Sequence, residues 1–456
     1  MASKYHSLPS VDRIVSDPRI KQLSELYSRK SIVDLARQQL SEFRAGIQSG
    51  IGSPAFEDIV EAILKTASSL WDSWPIPVIN ATGVILHTNL GRAPLSSESM
   101  RYLDIAARGY TNLEFDLETG KRGSRQEHLS RLVSQVTGSE SALITNNNAF
   151  GMLLGLTSLA NDKEVIVSRG EAVEIGGGFR IPEILAQSGA ALVEVGTTNR
   201  TYVKDFENAI SPRTGVILSV HPSNFKVSGF THSPEIQELV KLGHAHNIPV
   251  LHDLGSGCLI DSSAFGLSKE PMPQESIAAG VDLVFFSGDK LLGGPQSGII
   301  AGKDNYISKI KAHPLARAIR IDKLNMAALT ATLVHYIKGE ALEKIPVWRM
   351  ISLDTESIRL RAREWQQRIG DRASLETSFS TIGGGSLPEE TLPTWTVNIN
   401  TEGLFGGVTS IANTLRNSNP PVLTRIVDEH LILDPRTVQD HENDDMIRIV
   451  TVALEA

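Results

Sequence analysis

The sequence predicts an α/β protein: a large domain on a mostly parallel sheet, a helical segment before it, and a smaller α+β domain after it. Three observations predict this. Short apolar runs alternate with helix-like text between about residues 140 and 302. Up to residue 74 apolar side chains recur at helical spacing, and beyond about 325 long helical text gives way to short strands and turns. Strands that alternate with helices pair in parallel, because each parallel pair needs a crossover between its members.

Composition bounds the possibilities. The chain has 456 residues, enough for two or three domains, and its 41% hydrophobic and 21% charged content is ordinary for a folded soluble protein. A net charge of −8 argues against a surface coated with basic residues. A lone cysteine, Cys258, excludes an internal disulfide framework and a thiolate metal cluster. The opening text, Met-Ala-Ser-Lys-Tyr-His-Ser-Leu-Pro, lacks the apolar core of a signal peptide, and no run approaches a membrane span. The expectation is a cytoplasmic protein with no membrane partner.

Three domains are expected, at 1–74, 75–325 and 326–456. In the first, Leu23, Leu26, Ile32, Leu35, Leu40, Phe43 and Ile47 recur at helical spacing, as do Phe56, Ile59, Val60, Ile63 and Leu64. Ser49-Gly-Ile-Gly-Ser-Pro54 separates the two blocks. Up to residue 50 there are eight basic residues (Lys4 is the first) and five acidic ones. A polyanion partner and a plain solvated helical face both fit that excess. Trp71-Asp-Ser-Trp-Pro-Ile-Pro77 reads as a linker.

In the large domain the expected strands are 142–145, 164–168, 191–195, 215–220, 249–253, 283–287 and 298–301. Helices are expected at 149–159, 181–186 and 236–246. In the last domain helices are expected at 326–337 and 357–368, with short strands at 395–399, 431–433 and 446–454.

Open parallel sheets bind ligands beyond the carboxyl ends of their strands, so the residues there are the candidates. Asn146, Asn147 and Asn148 follow the first strand and open a helix. Such a turn is either an anion cup, with backbone N–H groups and the helix dipole facing the ligand, or a plain helix cap. Asp253 ends the fifth strand, before Leu-Gly-Ser-Gly257. A carboxylate there either caps the turn or meets a cation such as a protonated ring nitrogen. Lys290 ends Val281-Asp-Leu-Val-Phe-Phe-Ser-Gly-Asp-Lys290, between two apolar runs. Desolvation at such a place lowers an amine's pKa and frees its lone pair, whereas a solubility lysine would snorkel outward.

Anion cup, strand-end Asp and strand-end Lys, in that chain order, match the pyridoxal phosphate enzymes of fold type I, the aspartate aminotransferase-like fold. Ser287, three residues before the lysine, is placed to add a hydroxyl to the phosphate. Arg92, in His87-Thr-Asn-Leu-Gly-Arg-Ala-Pro94, and Arg317 and Arg320, in His313-Pro-Leu-Ala-Arg-Ala-Ile-Arg320, remain. Arginines at i and i+3 share one helix face, which fits either an exposed basic face or a bound oxyanion. No Walker loop, His-Glu-x-x-His or Gly-x-Ser-x-Gly is present.

The chain closely resembles the bacterial selenocysteine synthases, the L-seryl-tRNA(Sec) selenium transferases. The resembling text includes Leu8-Pro-Ser-Val-Asp-Arg13, Asn80-Ala-Thr-Gly-Val-Ile-Leu-His-Thr-Asn-Leu-Gly-Arg92 and Val167-Ser-Arg-Gly-Glu171 with Glu174-Ile-Gly-Gly177. Further on come Gly196-Thr-Thr-Asn-Arg-Thr201, Asp253-Leu-Gly-Ser-Gly257 and Phe286-Ser-Gly-Asp-Lys-Leu-Leu-Gly-Gly-Pro-Gln296. The resemblance implies that Lys290 holds pyridoxal 5′-phosphate, that Asp253 faces its ring nitrogen, and that Arg92, Arg317 and Arg320 grip selenophosphate. It places Asp289 at an acidic position important in the family. It implies loss of water from seryl-tRNA(Sec) to an aminoacrylyl intermediate, addition of selenium, a homodecamer, and tRNA rather than DNA on the N-terminal domain. A related pyridoxal phosphate lyase acting on a small amino sugar phosphate or amino acid, and a tRNA-binding scaffold, are the alternatives. His252 and Cys258 depart from the small or hydroxylated residues expected beside Asp253, and no ring-stacking residue is evident.

Overall fold

The computed structural model describes residues 8–174, 178 and 180–455. Lys4 and, from the quoted text, Ile175, Gly176 and Gly177 lie outside the described residues. The chain divides into two compact units, Met1–Pro77 and Val78–Ala456.

The first unit is helical, with α1 (Val11–Val15), α2 (Pro18–Leu26), α3 (Arg29–Gln48) and α4 (Phe56–Trp71). Each start has a sequence cause. Ser10, Asp17 and Ser28 cap the first three helices by accepting hydrogen bonds from the N–H groups of the first turn, and Pro18 opens α2 with its φ already set. One apolar cluster joins them, including Ile14, Ile20, Ile32, Leu40, Ile59 and Ile63.

The second unit begins with β1 (Ile79–Asn80), β2 (Val84–Leu86), α5 (Ser97–Arg108) and α6 (Glu127–Thr137). The main sheet follows: β3 (Ser141–Thr145), β4 (Glu164–Ser168), β5 (Ala191–Val195), β6 (Thr214–Val220), β7 (Val250–Gly255), β8 (Leu283–Ser287) and β9 (Gly298–Gly302). Its seven strands lie in the order β3-β9-β8-β7-β6-β4-β5. Strand β9 runs antiparallel to both neighbours and the other pairs are parallel. Apolar clusters cover both faces, so the strands read as near-continuous apolar runs instead of alternating. Helix α7 (Asn148–Ala160) packs on the face that includes Leu251, Leu218 and Phe285.

The C-terminal part adds β10 (Ala373–Gly383), β11 (Thr391–Ile399), β12 (Val422–Leu423), β13 (Arg425–Val427) and β14 (His430–Leu433), all but β12 in a second sheet. Its order is β13-β14-β11-β10-β2, and β1 pairs separately with β12. One strand from upstream of the main sheet, β2, is therefore spent on this one. The expected strand at 446–454 is instead part of the helix Asn443–Glu455. The text there is dense in β-branched residues, which favours strand locally. Met446, Ile447, Ile449, Val450 and Ala453 fall on one helical stripe, however, and are all buried, so tertiary packing decides.

Arg436 is 2% exposed and locks the crossing of this sheet with the helix Pro346–Ser352. Its guanidinium donates to the carbonyls of Met350 at 2.7 Å and Pro393 at 2.6 Å and to Ser380 Oγ at 3.0 Å, and Ser380 Oγ donates in turn to Asp434 at 2.7 Å. Arg436→Met leaves those carbonyls unbonded and Asp434 without the guanidinium's charge. Chemical denaturation should show a loss of about 3–5 kcal/mol; a change within a few tenths would mean that the network is not structural.

Candidate active site

Strands β7 and β8 are neighbours, and their carboxyl ends bring Asp253 and Lys290 to one edge of the sheet. Asp253 is 3% and Lys290 6% exposed. The turn that carries the lysine is bonded at both ends. Gly288 N–H donates to Ser297 O at 2.9 Å, Gly294 N–H to Gly288 O at 2.8 Å, and Leu291 N–H to Ser256 O at 2.9 Å. Beyond it, the buried Tyr336 hydroxyl donates to Leu292 O at 2.9 Å and accepts from Trp348 Nε1 at 2.8 Å.

Glycine backbone forms the walls around the amine. Gly255 has φ +69° and Gly385 has φ +84°, a region that side chains rarely adopt. A Cβ on Gly385 would come within 2.8 Å of Lys290 Nζ. A Cβ on Gly255 would lie 3.6 Å from that Nζ and 3.1 Å from Ser223 Oγ. Sequence reading missed Gly385; it follows β10, far along the chain from the lysine, and no local signal marks it.

Electrostatics push the amine toward its neutral form. Burial, with the Arg92 charge second, pushes the Lys290 pKa down, against the upward pull of Asp253 and Asp289. Burial likewise pushes the Asp253 carboxyl up, opposed by a hydrogen bond from Asn148 and by Lys290. Asn148 Nδ2 donates to Asp253 Oδ1 at 2.9 Å.

The three asparagines have separate positions. Asn147 is the cap of α7 and accepts from Phe150 N–H at 2.9 Å. Asn148 reaches Asp253, and Asn146 is exposed, with its N–H donated to Ile319 O at 2.9 Å. Ser287 ends β8, buried, paired in register with Gly298.

Arg92 stands in a positive-φ turn, and its Nη1 donates to Asp289 Oδ2 at 2.9 Å. Ala93 N–H donates to Asp289 O at 3.3 Å. These two bonds tie the acidic neighbour of the lysine to the Arg92 loop. Arg317 and Arg320 do not share a helix face as their spacing suggested. The helix there, Leu315–Ala318, ends first, and Arg320 forms a backbone bridge with Thr145 at the end of β3. Arg320 Nη1 lies 3.6 Å from Glu114, whereas Arg317 is exposed and, among the described residues, has no ion-pair partner. No ion pair or hydrogen bond among the described residues joins either to Arg92.

His252 and Cys258 are accounted for. Along β7 the side chains alternate, so His252 faces away from Asp253 and its Nδ1 lies 3.0 Å from Ser276 Oγ. Burial, followed by His221, holds its ring pKa down at about 3. The Cys258 thiol is buried and donates to Ile260 O at 3.0 Å.

A cavity of about 1060 Å³ adjoins the ends of β4, β6 and β7, lined in part by Glu171, Ser219, His221, Lys226 and Glu270. Burial pushes the Glu171 carboxyl up to about 8, and it accepts from Val220 N–H at 3.0 Å. Glu270 Oε2 lies 3.4 Å from His221 Nε2. The text around Glu171 was recognisable, but nothing local assigned the side chain a place. Asn148 Oδ1, Ser223 Oγ and Ser256 Oγ are buried without a hydrogen-bond partner among the described residues. Buried polar atoms of this kind are normally satisfied, so the strand ends fit a polar, phosphorylated ring bearing a carbonyl and a basic nitrogen. Lys290 would hold the carbonyl, Asp253 the nitrogen and the N-terminus of α7 the phosphate.

The sequence model of the L-seryl-tRNA selenium transferase family matches residues 78–439. This chain belongs to the L-seryl-tRNA selenium transferase family. The model of the selenocysteine synthase N-terminal region matches residues 5–44. Similar proteins include the L-seryl-tRNA(Sec) selenium transferase of Carboxydothermus hydrogenoformans, 48% identical over 96% of this chain and 95% of that one. The enzyme of the same name from Moorella thermoacetica is 47% identical over 98% and 96%. Among solved structures, D-glucosaminate-6-phosphate ammonia-lyase has a TM-score of 0.60 at 23% identity, covering 83% of this chain and 95% of that one, and so shares the fold. The sheet order, with its single antiparallel strand, and the helical N-terminal unit are those of a fold type I enzyme that carries an extra helical domain.

In the cofactor-free protein the Lys290 amine should become reactive toward an amine-selective label below the pH usual for lysine, because the neutral form reacts. Arg92 lowers this pKa, so Arg92→Leu should move the midpoint to higher pH. Labelling followed by peptide mass spectrometry reads both; a midpoint unmoved by the substitution would contradict the placement of Arg92.

Proposed function

We propose that this chain converts L-seryl-tRNA(Sec) to L-selenocysteinyl-tRNA(Sec), using pyridoxal 5′-phosphate and selenophosphate. The observation that carries this is the buried Lys290, its pKa pushed down by burial and Arg92, on the strand next to buried Asp253. Family membership supports the same substrate.

When bound, pyridoxal phosphate supplies a sink for the electron pair left at the seryl α-carbon. Lys290 Nζ, neutral once free, takes the α-proton. Asp253 would hold the ring nitrogen of that cofactor, and Asn148 fixes the Asp253 carboxylate. Arg92, Arg317 and Arg320 supply the charge that orients selenophosphate, a donor recognisable only by its charge and shape. Asp289 is a positioning residue: its bond to Arg92 aims that guanidinium beside the lysine.

The N-terminal unit, 1–74, would hold the tRNA, 75–325 the cofactor, and 326–456 would close the site. The working form would be a homodecamer in the cytoplasm. Among the described residues no helix is long and apolar enough to cross a membrane.

The test supplies purified protein with seryl-tRNA(Sec) and selenophosphate and measures selenocysteinyl-tRNA. Wild type should form it, and Lys290→Ala should lose at least about 10²–10⁴-fold in rate, the range of one acid–base group. No product from wild type would refute the function, and full activity in the variant would refute the lysine's role.

A further inference from the structure

One charged cluster near these strand ends joins Arg320 to three residues that have no part in the steps above. Glu114 begins a tight loop in which Gly123 N–H donates to Glu114 O at 3.0 Å and Phe115 bridges Arg122. Three guanidinium groups surround its carboxylate. Arg125 Nε donates to Oε1 at 2.7 Å, Arg122 Nη2 donates to Oε2 at 2.6 Å, and Arg320 Nη1 lies 3.6 Å from Oε1. Arg125 is held from behind as well, its Nη1 donating to Ile321 O at 3.4 Å.

One carboxylate cancels one guanidinium, so the cluster keeps two uncompensated positive charges. Like charges held this close repel unless an anion joins them, and guanidinium forks match tetrahedral oxyanions in geometry. The hydrogen bond from Arg125 holds the Glu114 carboxyl below the usual carboxylate range, so it is ionised at neutral pH. The cluster also stands beside the proposed phosphate end of the site. Arg320 bridges Thr145, and Asn146 N–H bonds Ile319 O, so both flank the N-terminus of α7.

We propose that Arg122, Arg125 and Arg320 form a site for a dianionic phosphate-type group, and that Glu114 is a built-in occupant which that dianion displaces. The proposal rests on the selenophosphate reading of Arg320 and deepens it with two further arginines and a competitor. Once Glu114 is displaced, a dianion such as inorganic phosphate or selenophosphate neutralises two of the three guanidinium charges, one more than the carboxylate did. A monoanion gains nothing over the carboxylate already in place. Glu114 thereby sets a charge threshold that favours a doubly charged donor over chloride or a singly charged phosphodiester of RNA.

Calorimetric titration of the holoenzyme with inorganic phosphate at pH 8 and low chloride tests this. E114Q removes the competing charge and keeps the shape, so it should bind phosphate about tenfold more tightly, the scale of one charge-assisted hydrogen bond. R122A, on an exposed side chain, and R125A should each weaken binding by a similar factor. The cofactor absorbance and the affinity for seryl-tRNA(Sec) should be unchanged in all three. Unchanged or weaker phosphate binding in E114Q would overturn the proposal, since Glu114 would then be a prop for the arginines. Effects confined to tRNA affinity would overturn it too, assigning the arginines to an RNA phosphate. Phosphate binding is read without selenium transfer. Tighter binding in E114Q from a protein that makes no selenocysteinyl-tRNA would therefore sink the function and leave the site standing.

Discussion

A lysine and a carboxylate, both nearly dry, on neighbouring strands is the constraint on which the rest of the structure depends. Neither Lys290 nor Asp253 would be stable there as an isolated charge, because burial disfavours each charged form. The sheet order keeps their strands adjacent, and apolar clusters on both faces hold that order rigid. Tyr336 and Trp348 pin the carbonyls just beyond the lysine. The backbone of Gly385 approaches the amine from the C-terminal sheet. That sheet takes β2 from upstream of the main sheet, and β1 pairs separately with β12.

The tuning around the pair has a direction. Arg92 adds to the effect of burial on Lys290, and Asp289 holds Arg92 where it can do so. Asn148 does the corresponding service for Asp253, opposing the effect of burial on the carboxyl. An amine shifted toward its neutral form, beside a carboxyl that a ring cation would pull back toward its charged form, is what proton abstraction beside a protonated ring requires. Glu171, its carboxyl pushed up to about 8 by burial, and the His221–Glu270 pair stand on the cavity side of the same strand ends.

Much of this was legible from residue order. The seven main strands appear within one or two residues of their expected bounds, because a strand covered on both faces leaves an unbroken apolar run bounded by turns. Lys290 and Asp253 stood out as polar residues ending such runs. The misses share a cause, which is that the deciding interaction is distant in sequence. Residues 446–454 look like a strand until the apolar surface they cover is known. Strands β1 and β2 are too short to carry a period, and β10 is half exposed and polar. Arg317 and Arg320 parted because their helix ends at Ala318 and the chain turns into a bridge with β3. Gly385 and Glu114 become meaningful only beside Lys290 and Arg320.

The most direct measurement concerns the lysine itself. The purified protein is loaded with pyridoxal phosphate, treated with borohydride, digested, and searched by mass spectrometry for a peptide bearing the reduced cofactor. The account predicts one modified site, Lys290, and loss of the visible cofactor band in Lys290→Ala. A cofactor fixed to another lysine, or an undiminished band in the variant, would contradict it.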